Sequence, residues 1–271
     1  MYACPLCQQP LMRVAKQWVC ENRHSFDIAK EGYVNLLPVQ NKRSIDPGDN
    51  LTMMQARRAF LNQGFYQPLV QSISSLLQTH LSDNASLLDL GCGEGYYTQA
   101  LAQQLNTTGQ HQFWGVDISK TAIRYAAKRE PSIAFTVASA YQLPFFNASF
   151  DAVIRIYAPS DDNELRRVIK PNGLLLTVQP AAYHLFELKQ AIYPAPKRHT
   201  EDAKVLEGFE LVSQQTLDYP MHFTRPEDLL NLVNMTPFGW KCDQQRKQQI
   251  GQTIDLVQAD FLIQLQKKLP Q

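Results

Sequence analysis

Apolar positions along the chain change their spacing, and each spacing predicts a different element. From about residue 51 the helical period dominates, and one apolar stripe at three- and four-residue steps runs over Leu69–Leu81. Short apolar runs then alternate with helical patterns. The predicted strands are Ser86–Leu90, Phe113–Ile118, Ile133–Val137, Ala152–Tyr157 and Leu174–Val178. The predicted helices are Tyr97–Leu105, Lys120–Arg129, Asn163–Lys170 and His184–Tyr193. This alternation predicts a doubly wound α/β domain, with a parallel sheet covered on both faces.

The regular alternation ends after residue 194. The segment PAPKRHTED predicts a loop, and extended stretches follow near Phe209–Gln214 and Thr216–Phe223. Pro226 predicts the start of a short helix. The glutamine-rich segment Asp243–Leu269 predicts one long helix with a polar face.

Composition narrows the class of protein. The chain has 271 residues, of which 44% are hydrophobic, so it can bury a substantial core. The net charge of +1 excludes no partner, because a balanced total can hide a local basic face. No window approaches about 18 consecutive apolar residues, and the opening MYACPLCQQP lacks the layout of a signal peptide. These features predict a cytoplasmic protein with no membrane partner.

The chain divides into three predicted parts. Residues 1–40 form a small cysteine-bearing module. Residues 41–82 comprise a linker, with an exposed turn at Asp46–Asp49, and a helical connector. Residues 83–271 form the α/β domain.

A glycine-rich turn follows the first strand of the α/β domain. Gly91, Gly93 and Gly95 have the spacing G-x-G-x-G, whereas a dinucleotide site has G-x-G-x-x-G. Asp89 precedes the turn and Glu94 lies within it. Two carboxylates would repel a pyrophosphate but suit a cationic or amino-bearing ligand. Alone, the glycines are equally consistent with a simple tight turn.

The ends of the next two strands identify the ligand more closely. Asp117 ends the second strand, where a carboxylate can accept hydrogen bonds from both hydroxyls of a ribose. The third strand ends in Ala138-Ser139-Ala140, which places backbone groups where they can contact an adenine. A nucleoside with an amino-acid tail and no phosphate satisfies all three features, and S-adenosylmethionine is such a ligand. The motifs LLDLGCGEGYYT, VDIS, ASAYQLPF and SFDAVIRIYAP resemble those of class I S-adenosylmethionine-dependent methyltransferases, which implies a Rossmann-like fold.

The N-terminal cysteines predict a metal site. Cys4-x2-Cys7 is followed by Cys20-x3-His24, and three thiolates with one imidazole form a closed structural zinc set. A redox role for Cys4 and Cys7 is the alternative, but a redox C-x2-C pair belongs on a βαβ element. Because the segment has little core of its own, one zinc ion per chain would supply much of its folding free energy.

Basic and aromatic residues are interleaved in the same module, and two interpretations stay open. The basic residues are Arg13, Lys16, Arg23 and Lys30, followed by Lys42, Arg43, Arg57 and Arg58. The aromatic residues are Trp18, Phe26 and Tyr33. Basic groups for phosphates and aromatic rings for unstacked bases are typical of RNA loop recognition. Alternatively, the aromatic rings pack around the metal and the charges solvate a surface.

The whole chain is similar to one family. CPLCQQPL…WVCENRHSFDIAKEGYVNLL, DPGD…MMQARRAFL and the methyltransferase motifs together resemble the bacterial 23S rRNA guanine-N1 methyltransferases. The resemblance implies methylation of a guanine in the hairpin 35 loop, at position 745 rather than 748, and a homodimer. It also implies a set of cofactor contacts and a set of zinc ligands. The cofactor contacts are Tyr66, Gly93, Glu94, Asp117 and His184, and the zinc ligands are Cys4, Cys7, Cys20 and His24.

The chemistry leaves the catalytic group unassigned. Guanine N1 carries a proton, so a general base, or donors that stabilise a negative O6, would help the transfer. Candidates lie in Arg155–Asp162, where Arg155 could stabilise O6 or could pair with Asp151 or a phosphate. Two other functions remain: methylation of a small molecule such as a quinone precursor, and RNA binding without catalysis.

Overall fold

The computed structural model describes residues 2–38, 50–200 and 203–270. The predicted turn at Asp46–Asp49 lies outside these residues. The strands are β1 Met12–Val14, β2 Gln17–Val19, β3 Ser25–Asp27, β4 Val34–Asn35, β5 Ser86–Leu90, β6 Gln112–Asp117, β7 Ala134–Val137, β8 Phe150–Ile156, β9 Ile169–Pro180, β10 Phe209–His222 and β11 Leu256–Lys268. The helices are α1 Leu51–Asn62, α2 Gln67–His80, α3 Tyr96–Leu105, α4 Lys120–Arg129, α5 Asp162–Val168, α6 Phe186–Ile192, α7 Pro226–Asn234 and α8 Gln244–Thr253. A 3-10 helix spans Pro237–Trp240.

One large mixed sheet organises the chain. Its strand order is β10-β11-β9-β8-β5-β6-β7-β4. Strands β4 to β9 pair in parallel, whereas β11 is antiparallel to both β9 and β10. The chain moves outward from β5 through β6 to β7 and then returns to the other side of β5 at β8. Ligands bind open α/β sheets at such a reversal, beyond the carboxyl ends of the strands.

Both faces of this sheet are covered, one by helices that include α2, α3 and α4 and the other by α5 and the N-terminal module. This arrangement agrees with the predicted doubly wound architecture. Alternate strand residues enter opposite cores: Leu87 and Ile154 belong to one cluster, and Leu88 and Val153 belong to the other. All four side chains are fully buried. Central strands buried on both faces therefore have nearly continuous apolar sequences.

The prediction of one helix over Asp243–Leu269 is wrong. Helix α8 ends at Thr253, and Leu256–Lys268 is strand β11, inserted between β9 and β10. Two of its glutamines are buried but paired: the side chain of Gln264 donates to Gln214, and that of Gln266 accepts from the backbone of Leu206. Sequence alone suggested a solvated helical face because it does not show these partners.

The extended region after residue 208 was predicted as two stretches, and the structure has one strand, β10, at the sheet edge. A register irregularity lies between Leu211 and Ser213. Within the described residues, no helix is long and apolar enough to cross a membrane.

The N-terminal module contacts the large sheet directly. Strands β1, β2 and β3 form a separate antiparallel sheet, but β4 pairs with β7. The hydroxyl of Tyr2 lies 2.6 Å from Oγ1 of Thr136 on β7, and its ring stacks on Phe145 at 5.4 Å. The backbone N–H of Ala3 donates to the carbonyl of Pro144. The module is therefore anchored beside the carboxyl end of β7.

Candidate functional site

The glycine turn joins the carboxyl end of β5 to the start of α3. Gly91, Gly93 and Gly95 have φ values of +74°, +55° and +78°, in the left-handed region. A Cβ on Gly91 would lie 2.4 Å from the Cβ of Ala158, and one on Gly95 would lie 3.0 Å from that of Ala126. A Cβ on Gly93 would have no neighbour within 4 Å. Packing therefore requires two of the glycines, whereas Gly93 leaves its backbone open to a ligand.

Asp117 connects the end of β6 to this turn. Its Oδ2 accepts a hydrogen bond from the backbone N–H of Gly93 at 3.0 Å, and its Oδ1 accepts from Ser119 at 2.8 Å. The structure thus brings Asp117 together with the glycine turn, where the sequence predicted a shared site.

Asp89 is the buried acid beneath the turn. Its Oδ2 accepts a hydrogen bond from the Thr98 hydroxyl at 2.5 Å. Burial, with a smaller contribution from nearby Asp117, raises the pKa of Asp89 to about 7. A cation bound nearby would favour the ionised form.

Glu94 also lies in the turn, but its carboxylate has cationic partners of its own. Its Oε1 lies 2.9 Å from Nη2 of Arg129, and its Oε2 lies 3.9 Å from Nε of Arg58. The negative charge that the sequence places at Glu94 is therefore partly compensated within the protein. The carboxylate of Asp89, by contrast, accepts its hydrogen bond from a neutral hydroxyl.

Tyr66 and His184 meet in an aromatic cluster. Both are buried, and their ring centroids are 6.4 Å apart. Each ring also packs on Phe261 of β11, at 5.1 Å for Tyr66 and 4.9 Å for His184. Phe261 lay in the segment predicted as helix, so the sequence offered no signal for its role.

His184 is held as a neutral imidazole. Burial, followed by the neighbouring His199, lowers the pKa of His184 to about 3. Its Nδ1 lies 3.2 Å from the backbone nitrogen of Asp260, which donates to it. The proton of the neutral ring is therefore on Nε2, 3.5 Å from the Tyr157 hydroxyl.

Two residues after β8 connect the glycine turn to this cluster. Ala158 packs against Gly91, and Tyr157 approaches His184. The predicted cofactor residues thus occupy two neighbouring groups along the carboxyl edge of the sheet. Tyr157 lies in the motif SFDAVIRIYAP, but only the structure shows that its side chain approaches His184.

Arg155 precedes this point on β8. Its Nη1 donates to the Ser160 hydroxyl at 2.9 Å. Asp151, one of the partners considered for it, instead forms an ion pair with Lys170 at 2.8 Å. The local pairing of Arg155 is therefore with the loop that follows its own strand.

The four predicted metal ligands come together. Their donor atoms all lie within 4.8 Å of one another. The Sγ atoms of Cys7 and Cys20 are 3.7 Å apart, and Nδ1 of His24 lies 3.5 Å from Sγ of both Cys4 and Cys20. Zinc–sulfur bonds of about 2.3 Å at tetrahedral angles place two sulfurs about 3.8 Å apart. The donors therefore fit a tetrahedral ion of this size.

Two similar turns supply these ligands. In the first, Gln8 donates its backbone N–H to the carbonyl of Cys4; in the second, Arg23 donates to that of Cys20. Gln8 and Arg23 both have left-handed backbones, with φ of 61° and 64°. Each turn folds tightly enough to direct two donors to one point.

The aromatic residues of the module pack inside it. Trp18 makes an edge contact with Tyr2 at 5.0 Å, Phe26 is partly buried against the core, and Tyr33 is buried. Arg13, Lys16 and Arg23 are exposed. For the aromatic rings, the packing alternative is the one that the structure shows.

Two family models match different parts of the chain. One, described as RlmA, N-terminal, matches residues 2–45, and a methyltransferase domain model matches residues 87–173. A Streptomyces fradiae relative, named 23S rRNA (guanine(748)-N(1))-methyltransferase, is 32% identical over 247 residues, covering 89% of this chain and 86% of the relative. YxjB of Bacillus subtilis is 30% identical over 256 residues, covering 91% and 89%. The chain belongs to the 23S rRNA (guanine-N1)-methyltransferase family.

Membership of this family confirms the resemblance and the prediction of a methyltransferase. Solved structures support the fold at lower identity. A chain of the Haloferax volcanii complex that contains the Trm112 methyltransferase activator is 17% identical, with a TM-score of 0.50 over 83% of this chain and all of that chain. A chain from the structure on thioacetal formation during echinomycin biosynthesis is also 17% identical, with a TM-score of 0.50 over 73% and 81%.

Similarity to a quinone methyltransferase extends over about a third of the chain. The 2-phytyl-1,4-naphtoquinone methyltransferase of Trichormus variabilis is 37% identical over 99 residues, covering 32% of this chain and 42% of the relative. The family relatives, by contrast, match about nine-tenths of the chain.

Proposed function

We propose that this protein transfers a methyl group from S-adenosylmethionine to N1 of a guanine in 23S rRNA. The observation that carries the proposal is that one chain contains both a cluster of four possible metal donors and a glycine turn with open space at Gly93. Relatives named as 23S rRNA guanine-N1 methyltransferases match about nine-tenths of the chain, which also supports the proposal. The proposal keeps the division into residues 1–40, 41–82 and 83–271.

The site residues have distinct proposed roles in binding the cofactor. Gly91 and Gly95 shape the turn, and the open backbone at Gly93 lets the cofactor approach. Asp117 accepts hydrogen bonds from the ribose hydroxyls, and Asp89 compensates positive charge on the methionine part. Tyr66, Glu94 and His184 border the site, with Glu94 holding the turn through Arg129. The cofactor supplies an activated methyl group, so the protein's contribution is mainly positioning.

The metal proposed for Cys4, Cys7, Cys20 and His24 is one structural zinc ion per chain. The four protein donors complete a tetrahedral set, which leaves no position for a substrate. The ion would therefore support the fold of the module without entering the chemistry.

The target atom sets requirements on the RNA. Guanine N1 lies on the Watson–Crick edge, so the base has to be unpaired or flipped from its stack. His184 is neutral and its Nδ1 already accepts the Asp260 N–H, so His184 is suited to donate from Nε2 rather than to remove the N1 proton. We assign no general base.

We propose guanine 745 in the hairpin 35 loop as the target, although the Streptomyces fradiae relative is named for position 748. The test uses hairpin 35 transcripts in which adenine replaces guanine 745, guanine 748 or both, with radiolabelled S-adenosylmethionine. Label should appear as N1-methylguanine, and replacement of guanine 745 should abolish it. Loss of label only on replacement of guanine 748 would move the target position.

The same assay separates the alternative functions. Transfer RNA and a small-molecule extract are offered in parallel with 23S rRNA. Label only in small molecules would establish the alternative that the quinone-methyltransferase similarity represents. Cofactor binding without transfer to any acceptor would favour a non-catalytic RNA-binding protein.

The proposed partners are 23S rRNA and a second copy of the chain, in the cytoplasm where rRNA is made. Light scattering coupled to size-exclusion chromatography tests the homodimer, which predicts twice the 30.9 kDa mass of one chain.

A further inference from the structure

Tyr157 has a backbone conformation that a tyrosine rarely adopts. It directly follows β8 and has φ of +56°, in the left-handed region. For a bulky residue this is an outlier, and such strain persists only where surrounding structure or function maintains it.

The contacts of Tyr157 within the protein are weak compensation for that strain. Its ring centroid lies 5.9 Å from that of His184 and 6.3 Å from that of Phe261. Its hydroxyl is 3.5 Å from His184 Nε2, at the outer limit for a hydrogen bond. The residue remains 44% exposed, although burial around its hydroxyl raises the pKa of Tyr157 well above the ordinary value. Leu185, with φ of +54° on the other side of His184, differs because it is buried and gains packing in return.

The position of Tyr157 points to a ligand. The next residue, Ala158, packs on Gly91 in the cofactor turn. Tyr157 therefore lies at the carboxyl end of β8, next to the reversal in strand order where an open α/β sheet binds its ligands. A half-exposed aromatic ring beside a methyl-transfer site can support a planar acceptor.

The aromatic rings of the N-terminal module are less accessible than Tyr157 for stacking on a base. An unstacked base is stabilised in RNA-binding proteins by an aromatic side chain. Trp18, Phe26 and Tyr33, the rings that the sequence suggested, are packed against the protein itself. Tyr157, by contrast, is exposed beside the candidate cofactor turn.

We propose that Tyr157 is a positioning residue whose ring stacks on the unpaired target base and presents its edge to the methyl group. The strained backbone holds the ring at the site before RNA binds. This inference rests on the proposed rRNA methylation and adds the residue that receives the base.

The main test replaces Tyr157 with asparagine, phenylalanine or tryptophan in the full chain. Asparagine tolerates the left-handed backbone but lacks a large ring. We expect Tyr157→Asn to lower kcat/KM for a hairpin 35 transcript by about 10- to 100-fold, the effect of losing one base–aromatic stack. Tyr157→Phe and Tyr157→Trp should stay within about threefold of wild type, because each keeps a stacking face.

A second readout observes the base itself. In a transcript with 2-aminopurine at the target position, stacking on Tyr157 should quench the fluorescence of the bound probe. The complex with Tyr157→Asn should therefore be brighter than the wild-type complex. Tyr157→Leu, which keeps apolar bulk but has no aromatic face, should behave like Tyr157→Asn and serves if the asparagine variant does not fold.

Two controls isolate the effect. Ala148→Asn introduces asparagine at another exposed residue of positive φ, and Trp240→Ala removes another exposed ring. Both should leave kcat/KM unchanged, and S-adenosylmethionine affinity should be unchanged in both controls and in Tyr157→Phe.

Each other outcome has a distinct meaning. Wild-type transfer with full activity in Tyr157→Asn and Tyr157→Leu would overturn the stacking role while leaving the proposed function intact. Loss in Tyr157→Phe equal to that in Tyr157→Asn would assign the effect to the hydroxyl and also overturn it. If wild-type protein labels no RNA, the proposed function and this inference fall together.

Discussion

At the residue scale, the three glycines of the turn after β5 differ in what surrounds them. Gly91 is closed in by Ala158, which is too small to move aside by a change of rotamer. Gly93 has the same backbone requirement but open space beside it. The sequence pattern treats them alike, so a pair of substitutions can separate packing from ligand access.

Gly91→Ala should destabilise the protein by about 2–5 kcal/mol, because a steric clash adds to a strained backbone. Gly93→Ala should cost only about 1 kcal/mol in stability, from the backbone alone, yet should weaken S-adenosylmethionine binding. Chemical denaturation and titration calorimetry measure the two effects. Equal stability losses in both variants would contradict the open space assigned to Gly93.

Asp89 is expected to couple cofactor binding to pH. Because its pKa is about 7 without ligand, it is partly protonated at neutral pH, and a bound cation should drive the proton off. Calorimetry at pH 7 in two buffers of different ionisation enthalpy should show proton release on S-adenosylmethionine binding. Asp89→Asn should remove this contribution. Identical proton release in both proteins would exclude Asp89 as its source.

The raised pKa of Asp89 also predicts the direction in which the free energy of unfolding changes with pH. The folded pKa of Asp89 lies above the ordinary value of 3.8, so the unfolded chain loses its proton first as pH rises. Asp89 therefore contributes stability at low pH that is lost between about pH 4 and pH 7. Subtracting the unfolding free energies of Asp89→Asn from those of wild type across this range should reveal that slope.

At the element scale, β11 connects the fold to the site. It lies between β9 and β10, and its Phe261 contacts both Tyr66 and His184. The apolar and glutamine positions of this segment are compatible with a helical or an extended period, and the prediction of a helix was wrong. The segment is a strand because β9 and β10 form hydrogen bonds with its backbone N–H and C=O groups on both sides.

Phe261→Ala should therefore affect both stability and the site. Removing this fully buried ring should cost about 3–5 kcal/mol. It should also reduce cofactor affinity, because Tyr66 and His184 lose the surface that orients them. Phe209→Ala, on β10 and also buried, is the matched control and should lower stability without a comparable loss of affinity in the folded protein. Equal affinity losses would show that the effect is general destabilisation.

At the scale of the whole molecule, the N-terminal module packs directly against the segment beside the candidate cofactor site. Tyr2 and Ala3 contact Phe145 and Pro144, in the segment that follows β7. The sequence predicts that the adenine of the cofactor lies beside this segment. Loss of a bound metal ion should therefore lower the affinity for S-adenosylmethionine.

Cys20→Ser should lower zinc content and weaken S-adenosylmethionine binding by about fivefold or more, a typical coupling between linked sites. Cys242→Ser, outside the four-donor cluster, should change neither quantity. Metal analysis and calorimetry on the same preparations test both statements. Zinc loss with unchanged cofactor affinity would show that the module folds independently of the site.

The sequence alone determined the features that depend on local spacing. The βαβ alternation, the glycine turn with Asp117 and the cluster of three cysteines with one histidine were all predictable, because residue type and spacing constrain them directly. The structure places the four side chains of that cluster within reach of one metal ion and Asp117 against Gly93.

Tertiary structure decided what depends on partners distant in sequence. Glu94 faces Arg129, the aromatic rings of the module pack against the protein, and Asp243–Leu269 divides into a helix and a strand. The left-handed backbone of Tyr157 belongs to the same class, since no sequence pattern marks it. For Glu94, the aromatic rings and the divided C-terminal segment, contacts with residues distant in sequence outweighed local preference, because burial and hydrogen bonding contribute more than propensity.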